Sequence, residues 1–474
     1  MKAALVLALL FFSTTTPDLT EEKKIALHWI DGNAGTLKKV NQNIWSHAEI
    51  GLQEFKSSEE LQSLLRANGF AVQAGVADMP TAFVASYGAG KPVIGILAEF
   101  DALPGLSQQA VPERMPREGV DAGHGCGHSV FGTASTGAAI AAKQFLGTRK
   151  IPGTIRLYGT PAEETGIGKT FMLRAGLFDD CDAILSWHAG DRTASSFSYT
   201  KALASVKFTF RGLPAHASTS PHEGRSGLDG VELMDIGANY LREHVKEDAR
   251  IHYVITNGGG QPNVVPPVAE VWYYLRANKH LDVEQYFKRL EDIARGAALM
   301  SGTTMTFEVQ QDSHEVLPNR PLSELIQRNL ELVGPPRFTE EEKAFALKIQ
   351  EGMAPPPELA LSETIEPLGP EPGQTLASTD VGDVSWKVPV GQLTAATHNL
   401  GAPGHSWQIV ACTGTSIGEK GMLVAAKALA AAAVEIYLSP EIVTAARADF
   451  EKRREGYPFM SLLPQGRKAP KSIR

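Results

Sequence analysis

The stretch PVIGILAEFDALPG, Pro92 to Gly105, decides the fold class of this chain. From Val93 to Ala98 every residue is apolar or glycine, with no polar alternation. Such a strand is covered on both faces and belongs at the centre of a mostly parallel sheet. Its neighbours repeat the pattern. TAFVASYG (81–88), GTIRLYGTPAEE (153–164) and CDAILSWHAG (181–190) read as further strands. The small-residue helix SVFGTASTGAAIAAKQFL (129–146) and the helix-like KTFMLRAGLF (169–178) fall between them. Strand and helix in alternation predict an α/β domain.

The texture changes at about Lys201. ALASVKFTFRG (202–212), RIHYVITNGG (250–259), AEVWYYLRA (269–277) and TTMTFEVQQ (303–311) read as strands, and helical segments at 226–245 and 283–300 interrupt them. This β-α-β-β-α-β order predicts an α+β, ferredoxin-like unit. Helix returns at LSELIQRNLELVG (322–334), and α/β texture at GQLTAATHNLGAPGHSWQ (391–408) and the Ala-rich GMLVAAKALAAAAVEIYL (421–438). The small unit, 201–313, is therefore expected as an insertion that divides the larger domain into 19–200 and 314–474. The Pro-rich 351–375 reads as a surface insertion.

Composition excludes some functions. The chain has 474 residues, 43% hydrophobic and 21% charged, which suits more than one globular core. A net charge of −8 offers no basic footprint, so a nucleic-acid partner is not expected. Three dispersed cysteines make no disulfide framework. Residues 1–18 begin MKAALVLALLFF, one lysine and then an apolar run too short to span a bilayer. That is the form of a signal peptide and predicts export, periplasmic or secreted, with a cytoplasmic location as the alternative. No other uninterrupted apolar run reaches membrane length, so no membrane span is expected.

Ligand-type residues stand where strands end, the place where open α/β sheets build sites. Asp101 follows the central strand, Glu163 and Glu164 follow GTIRLYGTPA, His188 follows DAILSW, and His405 lies in APGHSW. Cys126 and His128 occupy the glycine-rich AGHGCGH (122–128). On extended backbone, residues two apart face one side, so this pair can share an ion. Thiolate and imidazole suit zinc, while imidazole with carboxylate suits several divalent ions. Taken alone, the motif more readily describes a glycine turn with a buried free cysteine and surface histidines; the other strand ends weigh for metal. On an extended stretch Glu163 and Glu164 point apart, leaving one free as a base while the other binds metal. His244 and His280 read as bland histidines.

The motifs EFDALPG, GHGCGH, GTPAEETGIGKTFM, SWHAG, GLPAHAS, PNVVP, STDVGDVSW and GAPGHSWQ, in that order, resemble the M20 metallopeptidase family, in particular its amidohydrolase branch. The resemblance implies a zinc-peptidase-like catalytic domain with an inserted lid or dimerisation domain. It implies two divalent ions, Zn2+ or Mn2+, held by Cys126, His128, Glu164, His188 and His405. Glu163 matches the general base, and Asp101 matches the carboxylate that orients a ligand imidazole. His216 matches a lid histidine that serves the partner protomer's site. Asn263 and Arg276 match lid positions that hold a substrate carboxylate. The implied activity is hydrolysis of the amide bond of an N-acyl amino acid or aminoacyl conjugate, by a homodimer or a heterodimer with a paralogous chain. A dipeptidase or aminoacylase of the same branch is one alternative, and a non-catalytic metal-binding component of a hetero-oligomer is another. Ser129 and Gly404 depart from common residues of the branch, and Ser129 is expected to cap the following helix.

Overall fold

The computed structural model describes residues 21–353 and 357–472. The expected signal peptide lies outside the described residues.

Among the described residues an eight-stranded sheet runs in the order Ala71–Ala74, Phe83–Ala89, Gly153–Gly159, Val93–Ala98, Ala183–Gly190, Val390–Ala396, Thr193–Ser196, Ile365–Glu366. Val93–Ala98 is central and pairs in parallel with Gly153–Gly159 and Ala183–Gly190. Val390–Ala396 extends the parallel core beside Ala183–Gly190. All six residues of Val93–Ala98 are buried, and the reason is visible in the packing. Ile94, Ile96 and Ala98 face a core made with helices Glu21–Gly32, His128–Arg149, Arg320–Val333 and Ser416–Leu438. Val93 and Leu97 face a second core with Phe171, Ile184 and Val384. Covered on both faces, the strand has no wet side to encode.

Ser416–Leu438 is, among the described residues, the one helix long and apolar enough to cross a membrane. Its apolar window is 78% buried, and its alanines let it lie close against the sheet and helix His128–Arg149. It is a core helix.

The second sheet has four strands in the order Thr304–Ser313, Ala202–Arg211, Val268–Ala277, Arg250–Asn257, all antiparallel. Val268–Ala277 alternates half-buried and buried residues along its length. Its buried face meets helices Gly227–Leu241 and His280–Ser301 through Val231, Met234, Phe287 and Leu290. This is the ferredoxin-like order expected of the segment.

The structure departs from the sequence reading in places. Within 351–375, residues 354–356 lie outside the described residues, and the rest is not a bare surface insertion. Ala360 and Leu361 are buried beside Phe338 and Cys412. Ile365–Glu366 and Gly373–Gln374 add short parallel strands to Thr193–Ala194 and Ser198–Tyr199. Open strand edges offered the segment's backbone groups partners that its composition could not reveal. The short helices Val381–Ser385 and Trp407–Thr413 and two longer ones escape the reading. Glu340–Gln350 carries a capping box between Thr339 and Glu342, and Glu441–Arg454 closes the chain's helical part.

Candidate metal centre

The strand-end residues converge. Cys126 and His128 are not on extended backbone as the spacing suggests. Gly127 adopts φ +78°, and His128 opens the helix His128–Arg149. The turn still presents both side chains to one place. Ser129 lies inside the helix, makes no cap, and its buried Oγ has no partner. Glu163 and Glu164 are not extended either. They start a 3₁₀ turn, Glu163–Thr165, entered through Ala162 at φ 57°. His405 itself adopts φ 55°, a costly conformation for a non-glycine residue that recurs at functional sites.

Two donor sets that share Cys126 result, beside a third group of Glu99, His128 and Glu163. Cys126, His128 and His188 form one, and Cys126, Glu164 and His405 form the other. Within each set the donor atoms lie within 4.8 Å of one another, and Cys126 belongs to both. Cys126 Sγ is 3.3 Å from His188 Nε2, and Glu164 Oε2 is 3.2 Å from His405 Nε2. His188 Nδ1 donates to the Ala189 carbonyl at 2.7 Å, so Nε2 is the nitrogen left for an ion. His128 Nδ1 lies 2.8 Å from Asp101 Oδ1, and Asp101 Oδ2 accepts the Glu164 N–H at 3.0 Å. Asp101 thus braces a donor of each set. His128 Nε2 and Glu164 Oε1 are buried with no hydrogen-bond partner, which a pair of bound cations would remedy. Thiolate, imidazole and carboxylate donors together fit divalent metal ions.

Burial alone would push the Cys126 thiol up, but the His188 and His128 rings outweigh it and hold the thiol well below its usual value. Burial, with the Cys126 charge, pushes Glu164 up to about 7. Hydrogen bonds to Cys126 and Glu164 raise His405 to about 10. Burial and the Glu99 carboxylate push Glu163 well above the carboxylate range. Opposed charges crowded into a dry site are the mark of a functional centre.

Three participants are absent from the sequence reading. Glu99, Lys169 and Asp380 are fully or almost fully buried beside the donors. Lys169 Nζ lies 2.7 Å from Glu99 Oε1 and 2.6 Å from Asp380 Oδ1. A signal existed for Glu99, which stands two residues before Asp101 at the end of the central strand. His124, the other histidine of the glycine loop, belongs to neither set. Its Nε2 bonds the Ile44 carbonyl at 3.1 Å, and burial lowers it to about 4, so it is a neutral core residue.

The residues of the smaller sheet unit are not part of these donor sets. His216 is exposed, and its Nδ1 accepts the N–H groups of Ser218 and Thr219, each at 3.2 Å. The Ala217 N–H donates to the Asn263 carbonyl at 3.0 Å, so His216 and Asn263 share one loop corner. Arg276 donates to Ser378 Oγ at 2.8 Å, and its guanidinium lies 5.6 Å from the Tyr274 ring centroid.

Comparison with known proteins places this arrangement. The profile of peptidase family M20/M25/M40 matches residues 95–461. The chain is 42% identical over 457 residues to one of the subunits of p-aminobenzoyl-glutamate hydrolase from Escherichia coli K12, covering 90% of this chain and 94% of that protein. It is 28% identical to the Xaa-Arg dipeptidase of Mus musculus, covering 93% and 94%. Among solved structures it resembles a dinuclear metal-binding M20 peptidase from Bacillus subtilis, with TM-score 0.57, 17% identity, and 86% and 99% of the two chains covered. It also resembles an aminobenzoyl-glutamate utilization protein from Klebsiella pneumoniae, with TM-score 0.60, 18% identity, and 86% and 97% covered. The chain belongs to peptidase family M20/M25/M40 and is a metal-dependent hydrolase of amide or peptide bonds.

Proposed function

We propose that the chain uses two divalent ions, Zn2+ or Mn2+, to hydrolyse an amide whose amine side carries a carboxylate, of the p-aminobenzoyl-glutamate type. The observation that carries the reading is the pair of donor sets sharing Cys126, with Glu163 outside both and facing them. Glu163 Oε2 lies 3.9 Å from His128 Nε2. Cys126, His128 and His188 would hold one ion, and Cys126, Glu164 and His405 the other; when bound, the ions would supply a Lewis acid and a water of lowered pKa. Glu163 takes the proton of the attacking water and passes it to the leaving amine. His216 reaches the partner protomer's site and donates to the developing oxyanion. Asn263 and Arg276 hold the substrate carboxylate, Arg276 through its two-pronged donor edge.

The substrate class is supported by likeness to the Escherichia coli hydrolase along nearly the whole chain. The other named component of that hydrolase is 30% identical over 47% of this chain. Two related chains in one named enzyme support a heterodimer of paralogues as well as a homodimer. The apolar run after Met1 supports export to a periplasmic or extracellular location.

Metal analysis of the purified protein, with hydrolysis of p-aminobenzoyl-glutamate, N-acetyl amino acids and Xaa-Arg dipeptides, tests the reading. Two ions per chain and fastest turnover of the aryl amide are expected. Fastest turnover of an Xaa-Arg dipeptide would move the chain to the dipeptidases. Full metal content with no turnover of any amide would make it a non-catalytic binding component.

A further inference from the structure

The Glu99 carboxylate is split between two tasks. Its Oε1 contacts the Lys169 ammonium at 2.7 Å. Its Oε2 is buried, has no hydrogen-bond partner, and lies 3.2 Å from His128 Nε2, which is also without one. The two atoms face each other where the first donor set needs its imidazole. His128 thus stands between two carboxylates, Asp101 on Nδ1 and Glu99 on Nε2.

Lys169 fixes the orientation of Glu99. Its side chain is fully buried, and it meets Asp380 twice: Nζ donates to Oδ1 at 2.6 Å and the backbone N–H to Oδ2 at 2.9 Å. With the ammonium anchored by Asp380, Glu99 presents Oε1 to the lysine and Oε2 to His128. Asp380 lies in a loop that is braced in turn. Arg276 donates to Ser378 Oγ, and Asp383 accepts from Thr170 Oγ1 at 2.7 Å and from the His314 N–H at 2.9 Å.

Glu99, His128 and Glu163 also have donor atoms within 4.8 Å of one another. The Lys169 ammonium on Glu99 Oε1 already supplies positive charge beside that group, which disfavours a further dication there. From these contacts we infer that Glu99 is a positioning residue of the metal centre. Its free oxygen makes no hydrogen bond to the His128 ring and acts by charge, favouring a cation held at His128 Nε2, and the Lys169–Asp380 pair holds Glu99 to that task. The inference rests on reading His128 as a metal ligand.

The test is titration of Co2+ into metal-stripped full-length protein, followed through the thiolate-to-cobalt charge-transfer band of Cys126, with the Tm of the metal-free form measured in parallel. Wild type is expected to take up two equivalents. E99Q is expected to take up two, one of them about 10–100-fold more weakly, the range for partners that orient metal ligands. Its metal-free Tm should stay close to wild type. K169M should weaken the same equivalent, and E99Q/K169M should be no weaker than the poorer single variant, since both act through one contact. Wild-type cobalt binding in folded E99Q or K169M would overturn the inference, as would a lowered metal-free Tm with unchanged cobalt affinity. If E99Q does not fold, E99D decides: it keeps the charge for Lys169 but retracts the oxygen from His128, so unchanged binding overturns the inference. A wild-type protein that binds no cobalt would instead reject the metal reading itself.

Discussion

Glu163 and Glu164 are chain neighbours in one 3₁₀ turn, yet their surroundings differ. Glu164 meets Cys126 and His405, and its backbone N–H donates to Asp101 Oδ2. Glu163 faces His128, Glu99 and Lys169. Removing the charge of Glu163 should therefore leave the donor sets intact and remove the proton acceptor. Glu163→Gln is expected to retain wild-type metal content while kcat falls about 10²–10⁴-fold, the usual contribution of general acid–base catalysis. Elemental analysis beside steady-state kinetics checks this, and unaltered turnover would assign the base elsewhere. Glu163 and His188 could be picked out from sequence because each is a reactive residue near the end of an apolar strand, and Cys126 because it shares a glycine-rich loop with histidines. Lys169 could not, since a lysine in a helical segment ordinarily lies in water.

At the level of elements, the turn between the central strand's loop and helix His128–Arg149 depends on Gly127. Its φ of +78° disfavours other residues, and an added Cβ would fall 2.5 Å from the Ala189 Cβ in the strand that carries His188. Gly127→Ala is expected to cost about 1–2 kcal/mol from backbone conformation alone and to displace Cys126 and His128 together. Urea denaturation of the metal-free protein and metal content of the purified protein measure the two effects. A second junction joins the two sheets. His280 opens helix His280–Ser301, stacks on His314 with centroids 3.8 Å apart, and contacts Asp312 and Glu284, each at 2.8 Å. Burial opposes its charge, but Asp312 and Glu284 outweigh burial and raise it to about 10. A raised histidine stabilises the fold fully below its unfolded pKa of about 6.5 and loses that contribution as pH rises through its folded value. The stability difference between wild type and His280→Asn should thus be largest near pH 6 and shrink to nothing by about pH 10. A difference that holds constant over that range would mean His280 acts by packing alone.

For the whole molecule, the question is how the four-stranded unit serves the metal centre. His216 and Asn263 share a loop corner, and His216 is solvent-exposed in the single chain. Its Nδ1 accepts two backbone N–H groups, so the neutral ring carries its proton on Nε2 and offers it outward. If that proton serves the partner protomer's site, two inactive proteins should complement. A His216→Ala protomer mixed with a Glu163→Gln protomer gives a mixed dimer with one site lacking both groups and one lacking neither. After protomer exchange, verified with tagged chains, activity should approach half of wild type per mixed dimer, because one of its two sites is complete. Continued inactivity after exchange would confine His216 to a local role. Closure over the site would also exclude water, a common task of moving domains.

By itself the sequence determined most strands of the two large sheets, their main helices and the kinds of donor. Unbroken apolar runs marked the parallel strands, alternation marked the strands of the second sheet, and reactive residues stood where strands stopped. These signals are local, carried by residues a few positions apart. Only the tertiary structure decided that Cys126 serves both donor sets, that Glu163 and Glu164 turn rather than extend, and that Glu99, Lys169 and Asp380 meet. Lys169 and Asp380 are 211 positions apart and are brought together by loops beyond the sheet's strand order. Nor did any periodicity place His280 against His314 and Asp312. A buried charge is tolerated only where partners are close in space, and those partners come from segments whose proximity no local pattern records.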